Sequence, residues 1–160
     1  MGKEIERKFI VKNFPNHLKW SSKIRIQQGY IAVEKNQAEV RIRRTGDLFV
    51  QTVKSDGLLI RDEVEMVLTA SNFRALWPFT KGRRLVKDRY TFSIEGVNVE
   101  VDIFHGELKN LVIAEVEFAT LVASSKFIPY TWFGEEVTQN SEYKNKNLAI
   151  KKTRPNSLKD

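Results

Sequence analysis

The 160-residue chain carries 27 Lys and Arg against 20 Asp and Glu, a net charge of +7, and 41% of its residues are hydrophobic. That is the size and make-up of one soluble globular domain, too rich in apolar and aromatic residues for a disordered chain. No apolar run approaches the ~20 residues that span a bilayer, and Met1 to Lys8 hold no apolar signal core, so a cytoplasmic protein with no membrane contact is expected.

The absence of cysteine excludes a disulfide framework, a thiolate nucleophile and a Cys-ligated metal. The two histidines, His17 in an Asn/Pro segment and His105 beside a Gly turn, have neither zinc-motif spacing nor triad partners. Any catalysis falls to carboxylates, amines, guanidinium groups, phenols, hydroxyls or a metal held by oxygen. The excess of base is concentrated late in the chain, where Lys144, Lys146, Lys151, Lys152, Arg154 and Lys159 face only Glu142 and Asp160. The expected organisation is one domain over 1–150 and a basic tail over 151–160. Because acids and bases are interleaved through the body, nucleic acid is not the expected partner.

In chain order, segments rich in β-branched and aromatic residues predict strands over 5–11, 24–33, 39–44, 48–53 and 61–68. Ser71 can then cap a helix that runs to Trp77 and stops at Pro78. Strands over 85–94, 97–104 and 111–118 follow, then a short helix starting at Ser124 and a last one over 141–152 with Tyr143, Asn147 and Ile150 at helical spacing. Short Gly, Asp and Asn turns separate the strands, so the sheet is expected to be antiparallel.

The informative pattern is charge repeated at intervals of two within apolar strands: Glu4, Glu6 and Lys8; Arg41 and Arg43; Glu63 and Glu65; Lys87 and Arg89; Glu100 and Asp102; Glu115 and Glu117. Side chains alternate faces along a strand, so each set shares one side. A solvated sheet face would account for any one of them. Like charges at neighbouring same-face positions on strand after strand favour the second geometry, a closed barrel with its charges inside, because such pairs repel unless something binds them. A charged bore is costly when empty and therefore implies a charged ligand. Carboxylate pairs suit Mg2+ or Mn2+, and the Arg and Lys pairs suit phosphate oxygens. With Lys54 included, eight acids face six bases, so the bore would repel a polyanion unless divalent metal were present.

Glu4-Ile5-Glu6-Arg7-Lys8 resembles the ExExK signature of the CYTH superfamily, the triphosphate tunnel metalloenzymes. The later family elements follow in order: Gln28-Gly29-Tyr30, Arg41-x-Arg43, Lys54, Arg61-x-Glu63-x-Glu65, Lys87-x-Arg89-Tyr90, Asp102, Glu115-x-Glu117-Phe118, Trp132-x-Gly134-x-Glu136-Val137-Thr138 and Tyr143-x-Asn145. The resemblance implies a mainly β (α+β) fold, an eight-stranded antiparallel closed barrel with a few short outer helices, binding a triphosphate along its bore. It implies metal ligands at Glu4, Glu6, Glu115 and Glu117, with Glu63, Glu65 and Asp102 as contributors. Phosphate would be bound by Lys8, Arg41, Arg43, Lys54, Lys87 and Arg89, and Tyr30 with Lys54 match the pair proposed to help activate water.

The short chain shows no element for a nucleoside or thiamine, so the leading expectation is a metal-dependent hydrolase converting inorganic triphosphate to pyrophosphate and phosphate. A class IV-type adenylate cyclase, a thiamine or nucleoside triphosphatase, and a non-catalytic polyphosphate- or nucleotide-binding module are the alternatives. An apolar outer barrel face would also allow a homodimer.

Overall fold

A computed structural model describes residues 2–34, 38–153 and 155. Its strands are β1 (Gly2–Ile10), β2 (Ser22–Ala32), β3 (Glu39–Thr45), β4 (Leu48–Lys54), β5 (Ile60–Leu68), β6 (Arg84–Ile94), β7 (Val97–Phe104) and β8 (Val112–Glu117), and its helices are α1 (Ala70–Leu76), α2 (Leu121–Lys126) and α3 (Asn145–Lys151). Among the described residues, no helix is long and apolar enough to cross a membrane. The tail expected over 151–160 lies outside the described residues apart from 151–153 and Pro155.

The eight strands form a closed barrel in the order β1-β5-β4-β3-β2-β6-β7-β8, with every neighbouring pair antiparallel. Closure depends on β1, which pairs with β5 through Gly2–Ile5 and with β8 through Glu6–Ile10. This register settles which geometry the charge alternation produces. The charged positions turn inward, and the apolar positions between them turn outward.

Much of the hydrophobic core therefore lies outside the barrel wall. Phe9, Phe92, Val99, Val101, Ala114 and Val116 are buried on the outer face of β1, β6, β7 and β8 beneath Phe14, Phe127, Tyr130, Trp132 and Phe133. Phe9 stacks on Phe133 with ring centroids 4.6 Å apart. The outer face of β5 is barer, with Val64 and Met66 exposed.

A second core closes one end of the bore from within. Ile10, Leu85, Phe104 and Ile113 pack there with Tyr30, Leu108, Leu111 and Val137, and with Tyr143, Leu148 and Ala149 from the α3 region. Each of the first four lies two residues from a charged inward position: Lys8, Lys87, Asp102 and Glu115. The bore thus changes from charged to apolar within one layer and is blind at that end.

The helices begin where threonine, rather than serine, caps them. Thr69 Oγ1 accepts from Asn72 N at 3.0 Å, so α1 starts before Ser71, and Thr120 Oγ1 does the same for Ala123 N, so α2 starts ahead of Ser124. Pro78 is the second residue of a 3-10 turn over Trp77–Thr80, because its missing N–H costs nothing in the first turn of a helix. The helix expected over 141–152 is a 3-10 turn, Ser141–Tyr143, followed by α3, since Lys144 adopts an extended conformation between them. At Gly29 in β2 an added Cβ would lie 2.5 Å from the Thr80 side chain, so only glycine lets that turn seat against the strand that carries Tyr30.

Candidate active site

The bore holds a cavity of about 860 Å3 whose lining includes Glu4, Glu6 and Lys8 from β1, Gln28 and Tyr30 from β2, Glu39, Arg41 and Arg43 from β3, Lys54 from β4, Arg61, Glu63 and Glu65 from β5, Lys87 and Arg89 from β6, Glu100 from β7 and Glu115 and Glu117 from β8. Thirteen of the fourteen inward charges expected from the sequence line it. The fourteenth, Asp102, is fully buried behind Lys87 and Arg89. Lys3, Glu39 and Arg61 add to the inventory, giving nine acids and eight bases, so the wall remains short of positive charge.

One side of the cavity is a continuous ion-pair lattice. Lys54 Nζ lies 2.8 Å from both Glu4 oxygens and 3.0 Å from Glu63 Oε2. Arg61 Nη2 donates to Glu4 Oε2 at 3.0 Å and to Glu6 Oε1 at 2.7 Å. Lys8 Nζ bridges Glu6 at 3.2 Å and Glu115 at 2.9 Å. Arg89 donates to Glu115 at 2.7 Å, to both Asp102 oxygens at 2.7 Å and to Glu100, while Lys87 meets Asp102 at 2.5 Å. Buried charges are strongly unfavourable unless paired, and this lattice supplies the pairing. Burial raises the Glu115 pKa, but Lys8, Lys87 and Arg89 outweigh it and hold this carboxyl well below the usual range. Burial depresses Lys8, but Glu115 and Glu6 raise it above an ordinary lysine. For Lys87 burial prevails over Asp102, and its pKa falls.

The other groups are underpaired. Arg41 donates to Thr52 Oγ1 at 3.1 Å and reaches Glu65 only at 3.9 Å, Arg43 reaches Glu65 at 3.5 Å, and the buried Nε atoms of both arginines have no hydrogen-bond partner among the described residues. Burial and the adjacent Arg41 lower the Arg43 pKa. Two adjacent guanidinium groups, Arg41 buried and Arg43 partly exposed to the cavity, each with an unpartnered buried Nε, form a site for an anion. Glu117 is the acidic counterpart. It is exposed at the rim, pairs with no cation among the described residues, and is raised by partial burial and by Glu4, Glu100, Glu6 and Glu63. It also sits directly across from Glu6 in the β1–β8 register.

Tyr30 and Lys54 both line the cavity but are held by different groups. Tyr30 Oη accepts from Gln28 Nε2 at 2.9 Å, whereas the Lys54 ammonium lies between Glu4 and Glu63. Burial, then Glu39, pushes the Tyr30 hydroxyl above the ordinary phenol range, so it stays protonated. Glu65 is half exposed and holds Thr52 and Arg43. The sequence pattern named neither Glu39 nor Arg61 as site residues, although each continues a period-two series, two residues before Arg41 and Glu63. Lys146 of α3, 3.5 Å from Glu39, carried no such signal.

The divalent metal implied by the resemblance fits these residues. Glu117, crowded by carboxylates and lacking a cation, is a hard oxygen donor beside Glu4 and Glu6. Among the described residues no three acids or histidines are gathered into a metal cage. The carboxylates instead hold Lys and Arg side chains, so cation binding requires these pairings to rearrange.

The family model for the CYTH domain matches residues 2–151. The chain is 43% identical over 148 residues to an inorganic triphosphatase of Nitrosomonas europaea, covering 92% of this chain and 97% of that one. It is 36% identical over 151 residues to an inorganic triphosphatase of Acetivibrio thermocellus, covering 93% and 94%. The crystal structure of the inorganic triphosphatase NE1496 superposes with a TM-score of 0.71 at 40% identity, covering 94% of this chain and 96% of that one. With the closed eight-stranded barrel and its charged bore, these matches show that the chain belongs to the CYTH domain family.

Proposed function

We propose that this protein hydrolyses inorganic triphosphate to pyrophosphate and phosphate, using Mg2+ or Mn2+, within the blind bore of its barrel. The observation that carries the reading is the opposition of two underpaired poles in one cavity: Arg41 and Arg43, whose buried Nε atoms have no partner among the described residues, and the carboxylate rim around Glu117. A polyanion with its metal complements both. The names of the two relatives support the same substrate.

In this reading Arg41, Arg43, Lys8, Lys54, Lys87 and Arg89 bind phosphate oxygens and stabilise the charge that develops in phosphoryl transfer. Glu4, Glu6, Glu115 and Glu117 hold the metal, with Glu63, Glu65 and Asp102 as supporting acids. The metal, when bound, neutralises phosphate charge and lowers the pKa of water. Tyr30, protonated and held by Gln28, orients the nucleophilic water as a donor rather than removing its proton. Lys54 keeps Glu4 and Glu63 in place until phosphate claims its ammonium. Work in the cytoplasm is part of the same proposal and is checked by cell fractionation.

The test is phosphate release by purified protein from tripolyphosphate, ATP, thiamine triphosphate and pyrophosphate with Mg2+, Mn2+ or EDTA, together with a cyclic AMP measurement. Metal-dependent release from tripolyphosphate far above the others is expected. Cyclic AMP formation with tripolyphosphate left intact would overturn it, and tight binding without turnover would make the barrel a polyphosphate receptor.

A further inference from the structure

We infer that Arg61 is a built-in counter-ion that yields Glu4 and Glu6 to the divalent metal by shifting its pairing to Glu39. The inference rests on the reading that Glu4 and Glu6 are metal ligands. Arg61 is 8% exposed; its Nη2 donates to Glu6 at 2.7 Å and to Glu4 at 3.0 Å, and its Nη1 lies 3.8 Å from Glu39, within ion-pair range but not hydrogen-bonded. The two carboxylates best placed beside Glu117 to hold a cation are therefore bound by a cation already.

An arginine cannot give up its charge by losing a proton at any ordinary pH, and a buried charge left unpaired is strongly unfavourable. If Glu4 and Glu6 turn to a metal, Arg61 needs another carboxylate within reach. Glu39 supplies it. It is 4% exposed, it lies nearest to Nη1 whereas Glu4 and Glu6 hold Nη2, and its other cation among the described residues is Lys146 of α3 at 3.5 Å. A buried acid in a cavity that takes a polyanion would otherwise oppose binding, and this exchange gives it a role. Because one guanidinium already spans the donors and the acceptor, the exchange requires only a rotation of its fork, with no backbone movement.

The test measures Mn2+ binding without substrate, from the electron paramagnetic resonance signal of free Mn2+, on the full-length protein. Arg61→Gln should tighten binding about tenfold or more, because the one competing cation that holds both acids is gone while Lys54 still pairs with Glu4 and Lys8 with Glu6. Glu39→Gln should weaken it about tenfold, and the double variant should match Arg61→Gln alone, since Glu39 acts only through Arg61. Lys146→Met leaves every acid and Arg61 in place and should tighten binding several-fold by making Glu39 a stronger acceptor. This variant carries the test if Arg61→Gln does not fold.

Unchanged or weaker binding in Arg61→Gln or Lys146→Met would overturn the exchange. So would an equal loss from Glu39→Gln with or without Arg61, which would make Glu39 a direct ligand. Glu6→Gln separates the underlying reading: if it leaves Mn2+ affinity unchanged, the ligand assignment fails rather than the exchange.

Discussion

The bore of this barrel is two regions stacked on the same strands, a charged chamber and an apolar floor, and the step between them takes two residues. Lys8 gives way to Ile10, Lys87 to Leu85, Asp102 to Phe104 and Glu115 to Ile113. The floor is filled and packed against α3, so it contributes as ordinary core does, through apolar burial and close packing. The chamber is a lattice of desolvated charges whose mutual attraction roughly offsets the penalty of burying them. Stability and function are thus divided between adjacent layers of one sheet, and each layer can be altered with limited effect on the other.

The largest effect should come from the floor. Leu148→Ala, at a fully buried α3 position, should lower unfolding free energy by about 2–5 kcal/mol in urea denaturation, with kcat near wild type at temperatures where the variant is folded. A similar loss of kcat in that variant would show that the layers are not separable. Next come the acids of the chamber. Glu6→Gln or Glu117→Gln should reduce kcat for tripolyphosphate about a hundredfold, roughly 2.7 kcal/mol, and raise the metal concentration needed for half-maximal rate. Their melting temperatures should change far less than that of Leu148→Ala.

A smaller, more selective change is expected at the anion pole, where Arg41→Ala should raise KM about tenfold while kcat changes less. The smallest concerns Tyr30. Its pKa is raised, so the protonated form persists above the ordinary phenol range and no rate increase should accompany titration near pH 10. Tyr30→Phe should cost only several-fold in kcat, and its pH–rate profile should run parallel to wild type through about pH 10. A wild-type rate that climbs toward pH 10, and a variant that lacks the climb, would make Tyr30 a base.

All eight strands were legible in the sequence because period-two alternation is written into residues such as Val99, Val101, Glu100 and Asp102. Alternation states that two faces differ, and it leaves open which is inside. Here the closing register of β1 on β8, a long-range pairing, makes that choice. The resemblance pointed the same way through its motifs. The charged side chains of the chamber could be listed in advance, and Arg61 and Glu39 were within reach of the same rule. The blind floor was not, because Ile10, Leu85, Phe104 and Ile113 are apolar strand residues like those of the outer face. What sets them apart is contact with Leu148 and Ala149, far along the chain. Helix starts were missed for a local reason: Thr69 and Thr120 compete with nearby serines for the same capping role, and composition does not rank them.

The division of β1 between two partners also bears on how the protein folds. Its first residues pair with β5, but Glu6–Ile10 have no strand to join until β8, and Lys8 and Glu115 are 107 residues apart. The carboxylates of the opening motif must wait for nearly the whole domain before they acquire their neighbours. A ring closed between its first and last strands has high contact order, which places refolding in the millisecond-to-second range typical of β topologies. Competence to bind a cation between β1 and β8 should therefore be gained late, with the closing of the ring, so that Mn2+ binding during refolding would report the final step rather than the early collapse.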